Sequence, residues 1–294
     1  MKARPWRSAC LLAAAAAVAP ASAAVDVTAL WDFANPALSE QRFKEALAAA
    51  KGDDALVLTT QIARTWSLRR DPARAREVLK AIEPQLAGAG AEAQARHALE
   101  WGRSHISGAT RAEERTPEAL AAARAAYERA LAAARAGGLD GLAIDAVHMM
   151  AFVDTAPADD LKWNQQALAM IEASSQPAAK AWEASIRNNL GHALHRLGRY
   201  PEALEHFQRA LALREKAGSP RSIRIAHWMI AWTQRALGHI DEALAAQLRL
   251  EAEWRAAGSA DPYVFEELEQ LYRAKGDEVQ ARHYAQLHRA AKAP

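Results

Sequence analysis

Cysteine is almost missing from this sequence: among 294 residues only Cys10 carries a thiol. No intrachain disulfide can form, so the fold must be held by packing alone. Alternation of apolar and polar residues, the mark of a half-buried strand, is not found in any stretch. Aromatic residues make up 6% of the chain, β-branched residues are few, and alanine, the best helix former, dominates. Charge of one sign is lacking too. The formal net charge is +2, and Lys2, Arg4 and Arg7 account for three positive charges before the first acid, Asp26. Taking those three away leaves about −1, so there is no basic excess to attract nucleic acid or an acidic membrane.

Long apolar runs are absent as well. The longest, "CLLAAAAAVA" (10–19), is about half of the roughly twenty residues a helix needs to span a bilayer. It follows the charged start and precedes the small residues "ASAA" (21–24), an order that predicts a secretory signal cleaved after Ala23 or Ala24. Cys10 lies before the apolar core and not at the cleavage end, which argues against lipidation. The expectation is an exported bacterial protein, periplasmic or secreted, with signal peptide 1–24, no membrane span after cleavage and no cysteine in the mature chain.

Motifs of catalysis are equally scarce. "GRSHI" (102–106) begins like a nucleophile elbow, but Ile106 stands where a second glycine is required and no strand precedes it. "GLDG" and "GAGAE" are turns, too short to cradle a phosphate. His192 and His195 lie three apart, yet "HALH" lacks the glutamate and the i,i+4 spacing of a zinc-protease helix. The paired acids Asp159-Asp160 and Glu266-Glu267 read as charges near helix starts, where they complement the helix dipole. No catalytic residue, metal ligand or cofactor is expected, and the chain is not expected to be an enzyme.

What the sequence does have is an internal repeat. In "NNLGHALHRLGRYPEALEHFQRALAL" (188–213), Leu190-Gly191 and Leu194 share one helix face, and Gly198 can take the positive φ that ends the helix. Ala203, Phe207 and Ala210 then recur at spacings of four and three on a second helix. Small residues at 191, 203 and 210 let the two helices approach closely. The pattern returns in "IAWTQRALGHIDEALAAQLRL" (230–250) and "LEQLYRAKGDEVQARHYAQLH" (268–288). Upstream, "IARTWSLRRDPARAREVLKAI" (62–82) has Asp71 as N-cap and Pro72 at the first helical position. Residues 97–108 with 116–134, and 143–168, supply further pairs, the former with a long connection near 107–116. Residues 39–51, opened by Ser39, read as a lone helix before the first pair.

The Leu-Gly pair, the tyrosine, the turn and the Ala and Phe spacings resemble the tetratricopeptide repeat. Turn glycines 198, 238 and 276 stand 40 and 38 apart, which resembles the longer-helix variety of kinesin light chain. The resemblance implies an all-α, right-handed superhelical α-solenoid of about six antiparallel helix pairs. An N-terminal extension and lone helix would occupy 25–54, and the array 55–294. It also implies a non-enzymatic scaffold that binds a partner peptide or helix in a concave groove lined by the first helix of each pair. By landmark, that lining would include Arg64, Arg103, Met149, Phe152, Asn188, His192, His195, Arg196, Trp228, Trp232, Arg235, Tyr263, Gln270 and Arg273. Trp228 and Trp232 could instead pack between adjacent repeats. The expected partner is a protein or peptide and not nucleic acid. Two alternatives stand beside this: an accessory subunit of an enzyme complex, with His192 and His195 on a metal, or a self-assembling homo-oligomer. Histidines that titrate near neutral pH would make binding pH-sensitive.

Overall fold

The computed structural model describes residues 25–292, which form helices and no strand. The predicted signal, 1–24, lies outside the described residues. A short helix α1 (Val27–Leu30) and α2 (Pro36–Leu47) precede six pairs. These are α3 (Gly52–Leu68) with α4 (Pro72–Ile82), α5 (Ala91–Arg103) with α6 (Pro117–Ala136), and α7 (Asp140–Met150) with α8 (Pro157–Ala173). A single turn, α9 (Pro177–Lys180), leads to α10 (Glu183–Arg196) with α11 (Tyr200–Ala217). Two more pairs follow: α12 (Pro220–Ala236) with α13 (Ile240–Ala256), and α14 (Pro262–Ala274) with α15 (Glu278–Lys292). Each helix packs on the next in the chain, so the molecule is an all-α repeat solenoid. No helix among the described residues is long and apolar enough to cross a membrane.

Helix starts follow local chemistry. Asp71 accepts a hydrogen bond from the Arg74 N–H at 2.9 Å, with Pro72 in the first turn. Thr116 before Pro117, and Asp261 before Pro262, cap α6 and α14 in the same way. The first full helix opens at Gly52, three residues ahead of the boundary expected at 55. The lone helix is corrected in its start: Asn35, whose side chain accepts from the Leu38 N–H at 3.1 Å, caps α2 just before Pro36. Ser39 lies buried inside that helix, its hydroxyl accepting from the Asp32 N–H and donating to the Asp32 carbonyl. A serine one turn into a proline-led helix thus holds the preceding loop and caps nothing.

Helix ends repeat one device. Gly198, Gly238 and Gly276 take φ values of 73°, 85° and 75°. At each, the following residue donates its N–H back to a carbonyl five positions earlier, as in Arg199 to Leu194, His239 to Gln234 and Asp277 to Tyr272, all at 2.9 Å. The α3–α4 turn makes the same bond, Asp71 to Trp66 at 3.0 Å, but the left-handed residue there is Arg70, at φ 63°. A side chain in that conformation costs on the order of 1 kcal/mol against glycine.

Close approach within the second and fourth pairs is set by a glycine on the first helix. A Cβ at Gly191 would stand 2.6 Å from the Phe207 ring, and one at Gly102 would run into the Tyr127 ring. Phe207 and Tyr127 are fully buried, each in the groove its glycine opens. Burying a ring of this size contributes roughly 2–3 kcal/mol. The largest cluster, around Ile144, Ile186, Leu190 and Phe207, joins the third and fourth pairs.

Candidate functional site

First helices of successive pairs lie side by side, because their side chains meet directly. In the N-terminal half the meeting is ionic. Arg103 on α5 is bonded to Glu100 of its own helix at 2.6 Å and to Asp145 of α7, while Arg64 of α3 stands 3.6 Å from Glu100. The Glu100, Arg103 and Asp145 side chains are almost fully buried. Burial alone would raise the pKa of Asp145, but Arg103 and Arg64 outweigh it and hold it below the usual carboxylate value. Beyond them His148 contacts Asn189 of α10 at 3.3 Å and lies edge-on to Phe152. The segment before α2 covers this end: Trp31 donates from its indole to Gln61 Oε1 at 3.0 Å and stacks on Phe33, and both rings receive the Arg64 guanidinium.

The C-terminal half is aromatic. His195 lies on Trp232 with ring centroids 3.3 Å apart, and His192 stacks on the same indole at 6.0 Å. Trp232 stacks on Trp228 at 5.6 Å, and Trp228 donates from its indole to the Tyr263 carbonyl at 3.1 Å. This row links α10, α12 and α14. Both readings of the tryptophans therefore hold together: they pack between repeats, and their other faces line a cavity of about 610 Å³. Ile225, Met229, Arg221 and Trp254 complete its wall. Tyr263, 58% exposed, forms its outer rim.

The sequence-predicted lining splits accordingly. His192, His195, Trp228, Trp232 and Tyr263 come together. Arg64, Arg103 and Phe152 belong to the ionic half, and Met149 is core. Asn188 is half-buried, its Oδ1 without a partner. All five predicted groove arginines already face a carboxylate: besides Arg64 and Arg103, Arg196 stands 3.7 Å from Asp160, Arg235 is bidentate to buried Glu267 at 2.7 and 2.8 Å, and Arg273 pairs with Glu269. Glu267 is thus an inter-repeat partner and not a dipole-complementing charge at a helix start. Arg221, Ile225 and Met229 were missed, although 221, 225, 228 and 232 follow a helical spacing of four, three and four. Trp254 arrives from the end of α13, with no sequence signal to place it.

The histidines do not behave as near-neutral sensors. Burial, with His192 and Arg235 close by, pushes His195 down to about 4, and burial lowers His192 despite Asp160. Both shifts run away from neutrality, and His195 lies well below the range from pH 5.5 to 8, against the expectation that the histidines titrate near neutral pH. Among the described residues no cluster of three or more potential metal ligands occurs. Ser104, of the elbow-like "GRSHI", is buried and donates its hydroxyl to the Trp101 carbonyl at 2.7 Å.

Comparison with known proteins bears on the fold. The tetratricopeptide repeat family model matches residues 182–252. No match was found among curated proteins. Two solved structures are similar in fold. One is a signal transduction ATPase with numerous domains carrying a tetratricopeptide repeat sensor, from Pyrococcus horikoshii, with a TM-score of 0.64 at 13% identity over 87% of this chain. The chain spans only 39% of that protein's length. The other is aspartyl phosphate phosphatase F from Bacillus subtilis, with a TM-score of 0.57 at 13% identity, covering 88% of this chain and 70% of that one.

Proposed function

We propose that this chain, a tetratricopeptide repeat protein by residues 182–252 and an all-α repeat solenoid throughout, is a non-enzymatic scaffold that binds a partner polypeptide on its first-helix face. Tetratricopeptide repeats are protein-binding modules, and a fold of this kind says how binding is done and not what is bound. The observation that carries the reading is the aromatic cavity between α12 and α14. Its wall is rich in tryptophan and tyrosine, the residues that dominate binding energy at interfaces. The N-terminal half of the same face also opens a cavity, of about 460 Å³, but its wall carries the Arg64 and Asp145 charges. The C-terminal cavity is larger and lined by three tryptophans, which suits an apolar partner segment better.

Charge sets the partner's chemistry. Arg221 lines the cavity, Arg224 lies over Trp254 at 4.1 Å and Lys292 lies 5.9 Å from the Tyr263 ring. None of the three makes an ion pair among the described residues. The one carboxylate lining the cavity, Asp261, is engaged in capping α14. The partner is therefore a segment with an apolar or aromatic anchor side chain flanked by acidic residues. The signal sequence expected at 1–24 supports the periplasm of a bacterium as the place where it works.

A photo-crosslinking residue placed at Ile225, and in a second protein at Ala245 on a second helix, tests this in the cell. Crosslinks from 225 alone, mapped to an apolar segment with acidic neighbours, are expected. Equal crosslinking from both positions would refute the site. A basic segment captured at 225 would refute the stated chemistry.

A further inference from the structure

A second cavity, of about 700 Å³, opens at the turn ends of the first two pairs, away from the aromatic site. Four arginines line it, Arg70, Arg76, Arg103 and Arg111, against one carboxylate, Glu114. Arg103 is neutralised by Glu100 and Asp145, and Arg111 holds Glu114 at 2.6 Å. Arg70 and Arg76 have no ion-pair partner among the described residues. Arg76 gives one Nη to the Ser104 carbonyl at 2.6 Å, capping α5, and keeps its other donors. Ser67 and His105 also line it, though Ser67 Oγ and His105 Nε2 are themselves shielded from solvent. Ser107 and Thr110 add hydroxyls from the connection between α5 and α6.

The repeat supplies its own control. Three equivalent turns use glycine at the left-handed position, and only the turn facing this cavity uses arginine. A strained backbone kept where glycine would relieve it marks a side chain retained for a use other than folding. We propose that this cavity is a binding site for a small oxyanion-bearing molecule, a phosphate or a carboxylate. Arg70 and Arg76 supply the charge, and the Ser107 and Thr110 hydroxyls are placed to meet the ligand's remaining oxygens. The volume falls within the range of small-molecule sites. The two guanidiniums offer the charge-assisted forks that oxyanions select.

Titration calorimetry of the purified protein with inorganic phosphate and, separately, with citrate tests this, in a buffer free of other oxyanions. One anion or both should bind with one-to-one stoichiometry and raise the unfolding temperature; which one binds tells phosphate from carboxylate ligands. Arg76→Gln should weaken binding about tenfold or more. Arg70→Gly should weaken it similarly while raising the unfolding temperature of the ligand-free protein, a pair of opposite effects that a merely structural arginine would not give. No binding of either anion by the unaltered protein, or unchanged affinity in both variants, overturns the site.

Discussion

Replacing Gly191 by alanine sets two known effects against each other, and the structure decides between them. Gly191 lies inside α10, where alanine gains about 1 kcal/mol of helix propensity over glycine. Against this, the new Cβ would stand 2.6, 2.7 and 2.8 Å from three atoms of the Phe207 ring, where carbon atoms prefer about 3.5–4.0 Å. The ring must retreat by roughly 1 Å, and it is fully buried in the largest core cluster. Overpacking of this kind costs about 1–3 kcal/mol, and three atoms in conflict place it at the upper end. Gly191→Ala should therefore destabilise the protein by about 1–2 kcal/mol, a fall in unfolding midpoint of roughly 2–8 °C. Far-UV circular dichroism during urea and thermal unfolding measures it. Because each pair contacts only its neighbours, the fourth pair could melt apart from the rest, and the two halves of the transition should be fitted separately. A cycle with Phe207→Leu isolates the cause, since the smaller side chain should recover most of the loss from Gly191→Ala. Gly198→Ala, which meets nothing within 4 Å but sits at φ 73°, should lose about 1 kcal/mol that Phe207→Leu does not recover. If Gly191→Ala is as stable as the parent, the packing argument for Gly191 is wrong.

Other perturbations have equally definite outcomes. Asp145→Asn leaves buried Arg103 and Arg64 to share Glu100 and should cost about 3 kcal/mol in chemical denaturation. Because its folded-state pKa is depressed, Asp145 stabilises the protein above about pH 4, and that contribution disappears as pH falls through the folded value. Stability of the Asn variant should hence fall less steeply with acid, and parallel curves would remove Asp145 from the account. For His195, whose folded pKa of about 4 lies below its unfolded value near 6.5, stability should fall as pH drops from 6.5 towards 4, because the unfolded state takes up the proton first. His195→Gln should make that slope shallower in a pH series of unfolding midpoints, the other histidines with lowered pKa keeping the rest. His195 should add no step to partner affinity between pH 5.5 and 8, so a step there that His195→Gln removes would contradict its lowered pKa. Intact mass spectrometry of the exported protein should find Ala24 or Val25 as first residue, and an intact Met1 in an exported fraction would remove the signal peptide.

Part of this molecule was legible from residues a few positions apart. Asp71-Pro72, the three turn glycines and the Leu-Gly with Phe spacing each specify a cap, a left-handed stop or a glycine-to-ring contact, and each of these acts over one or two turns of chain. The six pairs and the all-α class follow from them, since helices with one apolar face and short turns must stack. The start of α2 was misread because serine caps helices in many contexts, and only the contact with Asp32 shows that Ser39 is internal.

The candidate site divides along the same line. Trp228 and Trp232 share a helix, so their common face could be read four residues apart, and so could the His192–His195 pair. What those faces meet depends on how neighbouring pairs pack. Arg235 looked free for a ligand until Glu267, 32 residues on, came within 2.7 Å of it, and Arg103 until Asp145 did, 42 residues on. An arginine's spacing places it on a face but says nothing of the acid across from it. Likewise Arg70 announces no site in one dimension, and becomes one only where α3, α4 and the 104–116 connection enclose a cavity. Local sequence determined the helices, their stops and their pairing, because those energies arise within a few residues. Which charges are spent on the fold and which face a ligand was decided by tertiary packing, because that depends on partners thirty to forty residues away.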